Sequence, residues 1–557
     1  MLKKILMGAV CIGAMSSQSF AQVWDPQALN ADPKTAEGPI SPKLTGLGDY
    51  KFAVTTENAE SQYFFDQGFR LWVAFNHSEA MRSFKEAIRL DPENAMAYWG
   101  WALSLGRNLN LPMTTNSHEQ ANYAIGMARS LKDKVSQREA DYIDALSARY
   151  SEDLSIPRDV LDEAYVVAME KLMNKYPDDA DAAVLFVGAA MNAQPWDYWN
   201  LDGSTKGRTN QVIEVLDRVI AKHPDHAAAL HYHIHITESK KPWLAEESAD
   251  NLAPLLPGSG HLIHMPSHIF MRLGRYQDAY DTNIVAAKVD EDYIAQCNAQ
   301  GLYPLAYYPH NLHFLAWSSM YTGRSGESIA AARKVKEKVE AGSRANTWGQ
   351  NETFRSQPMF VMARFGMWDD MLEVEKPFMR AQFMTGIWHY GRALANLHKG
   401  NMNEAEAEAA ELAKLVEKMR EGQPGYSNFE DAGGLLTIAK QVVDGEIAAK
   451  KGDFDKAVFH LSSAARMEDS LAYNEPPSWY FPTRHILGAI LLDAGRPVEA
   501  EVVYWDDLEH NPENAYSLYG LHQALKAQKK DDLADEFLAR YNKMWANSDV
   551  KLTSSRF

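Results

Sequence analysis

The sequence predicts an all-α fold built from repeated antiparallel helix pairs. Three observations carry that expectation. Glycine followed five residues later by alanine recurs at Gly274/Ala279, Gly400/Ala405, Gly452/Ala457 and Gly495/Ala500, with looser copies at Gly323/Ser328 and Gly366/Met371. A second alanine stands seven residues after the first in Ala80/Ala87, Ala279/Ala286 and Ala457/Ala464. Pro92, Pro224, Pro257 and Pro512 stand where second helices would close, because proline removes a backbone donor and clashes with the preceding turn. Turn glycines and small residues at fixed places are what two closely packed antiparallel helices require.

The elements follow in chain order. Lys3 and Lys4 precede an apolar stretch over 5–15, and Ser19-Phe20-Ala21 closes it. This layout reads as a secretory signal peptide over 1–21, cut after Ala21, and places the chain in the periplasm or outside the cell. The apolar stretch is too short to span a bilayer. Residues 22–57 are rich in Pro, Gly and Thr and read as an extended N-terminal arm. Helix pairs are expected over 58–545. Within them, 114–176 carries helical patterns with few repeat anchors. Residues 192–208 read as an insertion, and 290–309 as a long connection of the kind that often serves function. Residues 546–557 read as a frayed tail.

One repeat shows the pattern in full. Over 61–92, small residues stand at Gly68, Ala80 and Ala87, bulky ones at Phe64, Leu71 and Phe84, and Pro92 closes the segment. This closely resembles a tetratricopeptide repeat, a helix-turn-helix unit. The resemblance covers 58–545 and implies a right-handed α-solenoid of about 11–12 helix pairs. It also implies that first helices line a concave groove, which in such proteins commonly holds an extended peptide or a partner helix.

Composition narrows the function. The chain has 557 residues, with 56 Lys and Arg against 74 Asp and Glu, a net charge of -18. So acidic a surface disfavours nucleic acid. After cleavage only Cys297 remains of two cysteines, so no internal disulfide is expected. No phosphate-binding glycine loop, G-x-S-x-G elbow, H-E-x-x-H or paired CxxC is present. Cys297 has histidines around it in sequence, but that coincidence is too common to mark a nucleophile.

The histidines are the chemical signal. His261, His264 and His268 follow Pro257 by four, seven and eleven residues, and His231 and His235 follow Pro224 by seven and eleven. His310 and His313 precede Gly323 by 13 and 10, as His261 and His264 precede Gly274. Spacings of three, four and seven keep residues on one helix face. The resemblance puts that face on the groove. Neutral imidazoles suit copper, zinc, iron or nickel, so His231, His235, His261, His264, His268, His310 and His313 are candidate metal ligands. Glu238, Asp290, Glu291 and Asp292 are candidate ligands, outer partners or bases. Tyr303, Tyr307 and Tyr308 could cover the site. His233 lies half a turn away and is assigned to packing, and His223 and His226 to the surface. His485, ten before Gly495, would share the histidine face several repeats away. Pro266 and Pro309 depart from ideal helix starts. Asn108, Asn110 and Met113 could reach the groove. Met359, Met362, Met367, Met371, Met379 and Met384 read as core filler rather than copper ligands. Trp196, Tyr198 and Trp199 read as anchors of a packed loop.

Three functions stay open from sequence. One is a groove binding a transition metal. The second is a metal-free scaffold for a protein or peptide partner. The third is a metal-dependent enzyme of unknown reaction.

Overall fold

The computed structural model describes residues 31–297, 303–342, 352–378, 380–421 and 432–557. The signal segment 1–21 lies outside the described residues, as does Met379. Among the described residues the regular structure is helical, apart from an isolated bridge between Trp199 and Thr205. No helix among them is long and apolar enough to cross a membrane. The chain divides into two compact units. The first runs to Ile269 and includes Ile284–Tyr308; the second comprises Phe270–Asn283 and Pro309–Phe557.

In the first unit, Ala59–Val73 pairs with His77–Leu90, Ala95–Leu105 with Thr115–Ser130, and Thr209–Lys222 with Ala227–Thr237. Local chemistry starts these helices. The Asn58 side chain accepts from the amides of Glu60 and Ser61, and Ser136 and Glu139 cap each other reciprocally, satisfying donors that a helix start leaves open. Phe84 is fully buried, a side chain whose burial stabilises by about 1.5–3 kcal/mol. It sits between Gly68 and Gly100, where an added Cβ would lie 2.9 and 2.4 Å from its ring. The described part of the arm is tied to this hairpin. Ile40 donates its amide to Glu86 Oε2 at 2.8 Å, Leu44 to Gln67 Oε1 at 2.8 Å and Phe52 to Asp66 Oδ1 at 3.1 Å.

In the second unit, Gln382–His398 pairs with Met402–Arg420, Ala432–Lys450 with Phe454–Asp469, Thr483–Asp493 with Pro497–His510, and Ala515–Ala527 with Asp531–Met544. The turn between partners repeats one geometry. Gly400 donates to Leu397 O at 3.2 Å and Asn401 to Asn396 O at 2.8 Å, which closes the helix in a Schellman motif. Gly323, Gly452 and Gly495 repeat both bonds. All six glycines named from sequence have φ between 62° and 86°, a region L-residues avoid. Ala279, Ala405, Ala457 and Ala500, five residues on, are fully buried. These are tetratricopeptide-like helical repeats, and their partner helices share one turn geometry.

Among the described residues, two turns break the glycine rule. Phe75 and Lys529 adopt φ of 57° and 62° and make the same pair of backbone bonds. Each has a fully buried alanine five residues on, Ala80 and Ala534.

Some expectations are revised. Asp290 does not open a loop; it lies in the helix Tyr276–Cys297. Tyr303–Tyr307 forms a π-turn that leads into Tyr308–Tyr321, and proline is tolerated in a helix's first turn because its missing donor is not needed there. The end of the chain is not frayed. Asp549 accepts from the Ser325 and Gly326 amides, Ser555 donates to His485 O at 2.7 Å, and Leu552 is buried.

Candidate metal centre

The helix Ala227–Thr237 carries His231 and His235 one turn apart, and both are buried. Its start is capped by His226, whose Nδ1 accepts from the Ala229 amide at 3.4 Å. His226 is therefore a buried cap rather than the surface residue expected; His223 is exposed. The next histidines lie on Gly260–His264 and Pro266–Arg272, two short helices with the break at Met265, where Pro266 has no amide hydrogen to continue the ladder. Gly260 is needed at the first helix start, because a Cβ there would lie 1.9 Å from Asp290 Oδ1.

One ring nitrogen from each of His231, His235 and His261 lies within 4.8 Å of the other two. Ring centroids are 4.8 Å apart for His231 and His235, and 5.1 Å for His231 and His261. His231 Nδ1 is 2.8 Å from Val73 O. A carbonyl only accepts, so Nδ1 carries the proton and Nε2 presents a bare lone pair. That Nε2 is buried and has no hydrogen-bond partner. A carbonyl fixing the outer nitrogen is the usual companion of a metal-bound imidazole. Burial lowers the His231 pKa to about 4, so the ring is neutral at pH 7.

Beside these three, Glu238 is almost fully buried, with Oε2 at 3.6 Å from His235 Nδ1 and 3.2 Å from His268 Nδ1. His268 Nε2 lies 3.0 Å from His264 Nε2, and His264 Nδ1 lies 3.3 Å from Ser267 Oγ. Five imidazoles and one carboxylate of the first unit thus form one polar cluster. Of the other carboxylates, Asp290 accepts from Tyr303 OH at 2.7 Å and Glu291 from Tyr308 OH at 2.6 Å, and Asp292 is exposed.

The cluster is walled by aromatic rings. Phe75 lies 4.4 Å from His231, and stacks on His235 and His261 at 5.5 Å each, with interplanar angles of 4° and 24°. Trp196 meets His235 edge-on at 5.4 Å. Tyr307 meets His261 at 5.0 Å, and its hydroxyl accepts from Asn110 Nδ2 at 3.0 Å. Tyr198 and Trp199 are buried loop anchors, with Trp199 Nε1 on Ile236 O at 2.7 Å.

Sequence reasoning missed Phe75 and His77. His77 stacks on Phe75 at 5.8 Å, both its nitrogens are buried without a hydrogen-bond partner, and burial lowers its pKa to about 3. The available signal was Ala80, five residues after Phe75, which marks a repeat turn whose glycine is replaced.

The remaining expected residues differ in burial and partners. His233 Nδ1 lies 2.8 Å from Ser248 Oγ, a packing role. His310 and His313 belong to the second unit, where burial lowers their pKa values to about 4 and about 3. Met359, Met362, Met371 and Met384 are core residues. Cys297 is buried, and burial raises its thiol to about 12, which suits no nucleophile.

No protein-family model matches the chain, and neither does any curated protein. It is similar to solved structures at low identity. The human IFIT1 dimer with m7Gppp-AAAA is 12% identical over 89% of this chain and 92% of that chain, with a TM-score of 0.31. Yeast Tom70 is 14% identical over 87% and 92%, with a TM-score of 0.26. The P58(IPK) TPR domain is 13% identical over 85% and 99%, with a TM-score of 0.22.

Proposed function

We propose that the first unit binds a transition-metal ion through His231, His235 and His261, and that the chain is an exported metal-binding helical-repeat protein. One observation carries the reading: three buried imidazoles converge, and His231 turns an unpartnered lone pair inward because Val73 holds its other nitrogen. Three neutral imidazoles suit zinc or copper(II). A metal would replace imidazole contacts that leave this polar atom buried without a bond, a state costing about 1–3 kcal/mol. Glu238 serves as the outer partner that orients His235 and His268.

The test is metal content. Protein purified without a metal-affinity tag is dialysed against zinc or copper(II), and bound metal is measured by elemental analysis. The parent is expected to retain stoichiometric metal, and His231→Ala with His261→Ala to retain none at the same free concentration. A parent without bound metal ends the proposal. Export is tested separately by N-terminal mass spectrometry of the secreted fraction, with Gln22 expected as the first residue.

A further inference from the structure

The second unit contains a cavity of ≈ 210 Å³ that the metal reading does not involve. A cavity of about 150 Å³ holds a benzene ring, so this one takes a single six-membered ring with substituents. Arg272, Tyr276, Trp317 and Tyr321 line it together with the segment 468–482 and the end of Pro497–His510. Tyr276, Trp317, Tyr321, Tyr473 and Trp479 supply an aromatic wall.

The acidic groups of the lining already have partners. Arg484 grips Asp469 with two bonds of 2.7 and 2.8 Å. Asp507 accepts from Ser517 Oγ at 2.6 Å and Asn514 Nδ2 at 2.9 Å, and lies 2.9 Å from His485 Nε2. Glu475 takes a hydrogen bond from Tyr473 and lies 4.0 Å from Arg272 Nε. Glu468 accepts from the Thr483 amide and hydroxyl at 2.8 and 2.7 Å, both at Oε2. A carboxylate offers about four lone-pair sites, so Glu468 keeps Oε1 for a further donor.

The unmet capacity lies with donors. The indole N–H groups of Trp317 and Trp479 and the Nε–H of Arg272 are buried, and none has an acceptor in the protein. All three residues line this one cavity. A buried donor without an acceptor is costly unless a partner arrives.

The lining discriminates by ligand charge. An anion would satisfy the donors but meet four acidic groups, Glu468, Asp469, Glu475 and Asp507, against two arginines. A cation would suit the acidic groups and the aromatic faces but leave the three donors as they are. A neutral hydroxyl both accepts and donates, and it asks for no charge in return. We propose that this cavity binds a neutral monosaccharide in its ring form. The sugar's oxygens accept from Trp317, Trp479 and Arg272, one of its hydroxyls donates to Glu468 Oε1, and the C–H face of its ring lies on the aromatic wall. Aromatic walls with a few convergent polar groups are what orient small ligands in such sites.

The experiment is calorimetric titration of the full chain with D-glucose, D-galactose, D-mannose and D-xylose. Two comparison compounds divide the sugar's chemistry. Sorbitol has the hydroxyls without the ring, and cyclohexanol has the ring with one hydroxyl. At least one sugar is expected to bind, with both comparison compounds weaker by about tenfold or more. Trp317→Phe keeps an aromatic face and removes one donor, and is expected to weaken the sugar by about tenfold. The proposal is overturned if none of the four sugars binds, if sorbitol or cyclohexanol matches the best sugar, or if the folded Trp317→Phe chain binds that sugar undiminished. The comparison in the unaltered chain decides the matter even if the variant does not fold. His231→Ala should leave this binding intact, so loss of the metal reading would not touch it.

Discussion

His231 and His485 are both fully buried on helices of hairpin repeats, yet they are solved differently. Arg364 donates to His485 Nδ1 at 3.0 Å, so Nε2 carries the proton and faces Asp507 Oδ2 at 2.9 Å. Arg364 in turn lies on the ring of Tyr516, 3.3 Å from its centroid. Both nitrogens of His485 are used, and the residue is a strut. His231 uses one nitrogen on a backbone carbonyl and turns the other toward two more imidazoles. What separates a strut from a candidate ligand is the neighbour at the second nitrogen, and helical spacing does not report that neighbour.

The largest expected effects test this contrast directly. His231→Ala should weaken zinc binding by more than about 100-fold, because even the outer partners of metal ligands are worth about 10–100-fold. His485→Ala should leave metal content unchanged and destabilise the chain by about 3–5 kcal/mol, because the buried Arg364 and Asp507 each lose a hydrogen-bond partner. Elemental analysis and urea unfolding read the two quantities. Loss of metal in His485→Ala would erase the distinction.

The repeat itself was legible because it depends on backbone conformation. A turn that needs positive φ selects glycine, and close helix approach selects alanine, so both leave a periodic trace. Gly274 to Gly495 were recoverable for that reason. The convergence of His231, His235 and His261 was half legible: spacing gave the shared helix faces, whereas the distances depend on packing. Phe75 was invisible because it stands where the pattern asks for glycine. Arg272 and Glu475 stand 4.0 Å apart although about 200 residues separate them in the chain, and no local pattern links them.

The second unit should also show a signature in base. Burial raises Glu475 to about 8 and Glu468 to about 7. Their folded pKa values lie above the unfolded values, so their stabilising effect is complete below about pH 4.5 and is lost as pH rises through 7–8. The loss at Glu475 is on the order of 3 kcal/mol. The urea midpoint should be lower at pH 8.5 than at pH 5.5, and the drop should shrink in Glu475→Gln. An unchanged drop in that variant would mean that other groups govern alkaline stability.

Phe75 and Lys529 sharpen the contrast at the level of the turn. Both occupy the positive-φ place, at a cost of about 1–2 kcal/mol for a residue other than glycine. The Phe75 ring floors three imidazoles, and truncating a buried phenylalanine costs about 3–5 kcal/mol. Phe75→Gly should therefore lose about 2 kcal/mol net and loosen metal binding about tenfold, while Phe75→Leu recovers part of both. Lys529 is exposed and has no such floor to provide. There the relief outweighs the added chain entropy of glycine, and Lys529→Gly should stabilise by a few tenths to about 1 kcal/mol. Urea denaturation of the two glycine variants should thus move the midpoint in opposite directions. Movement in the same direction would mean that Phe75 contributes nothing beyond an ordinary turn residue, and that the floor beneath the histidines is incidental.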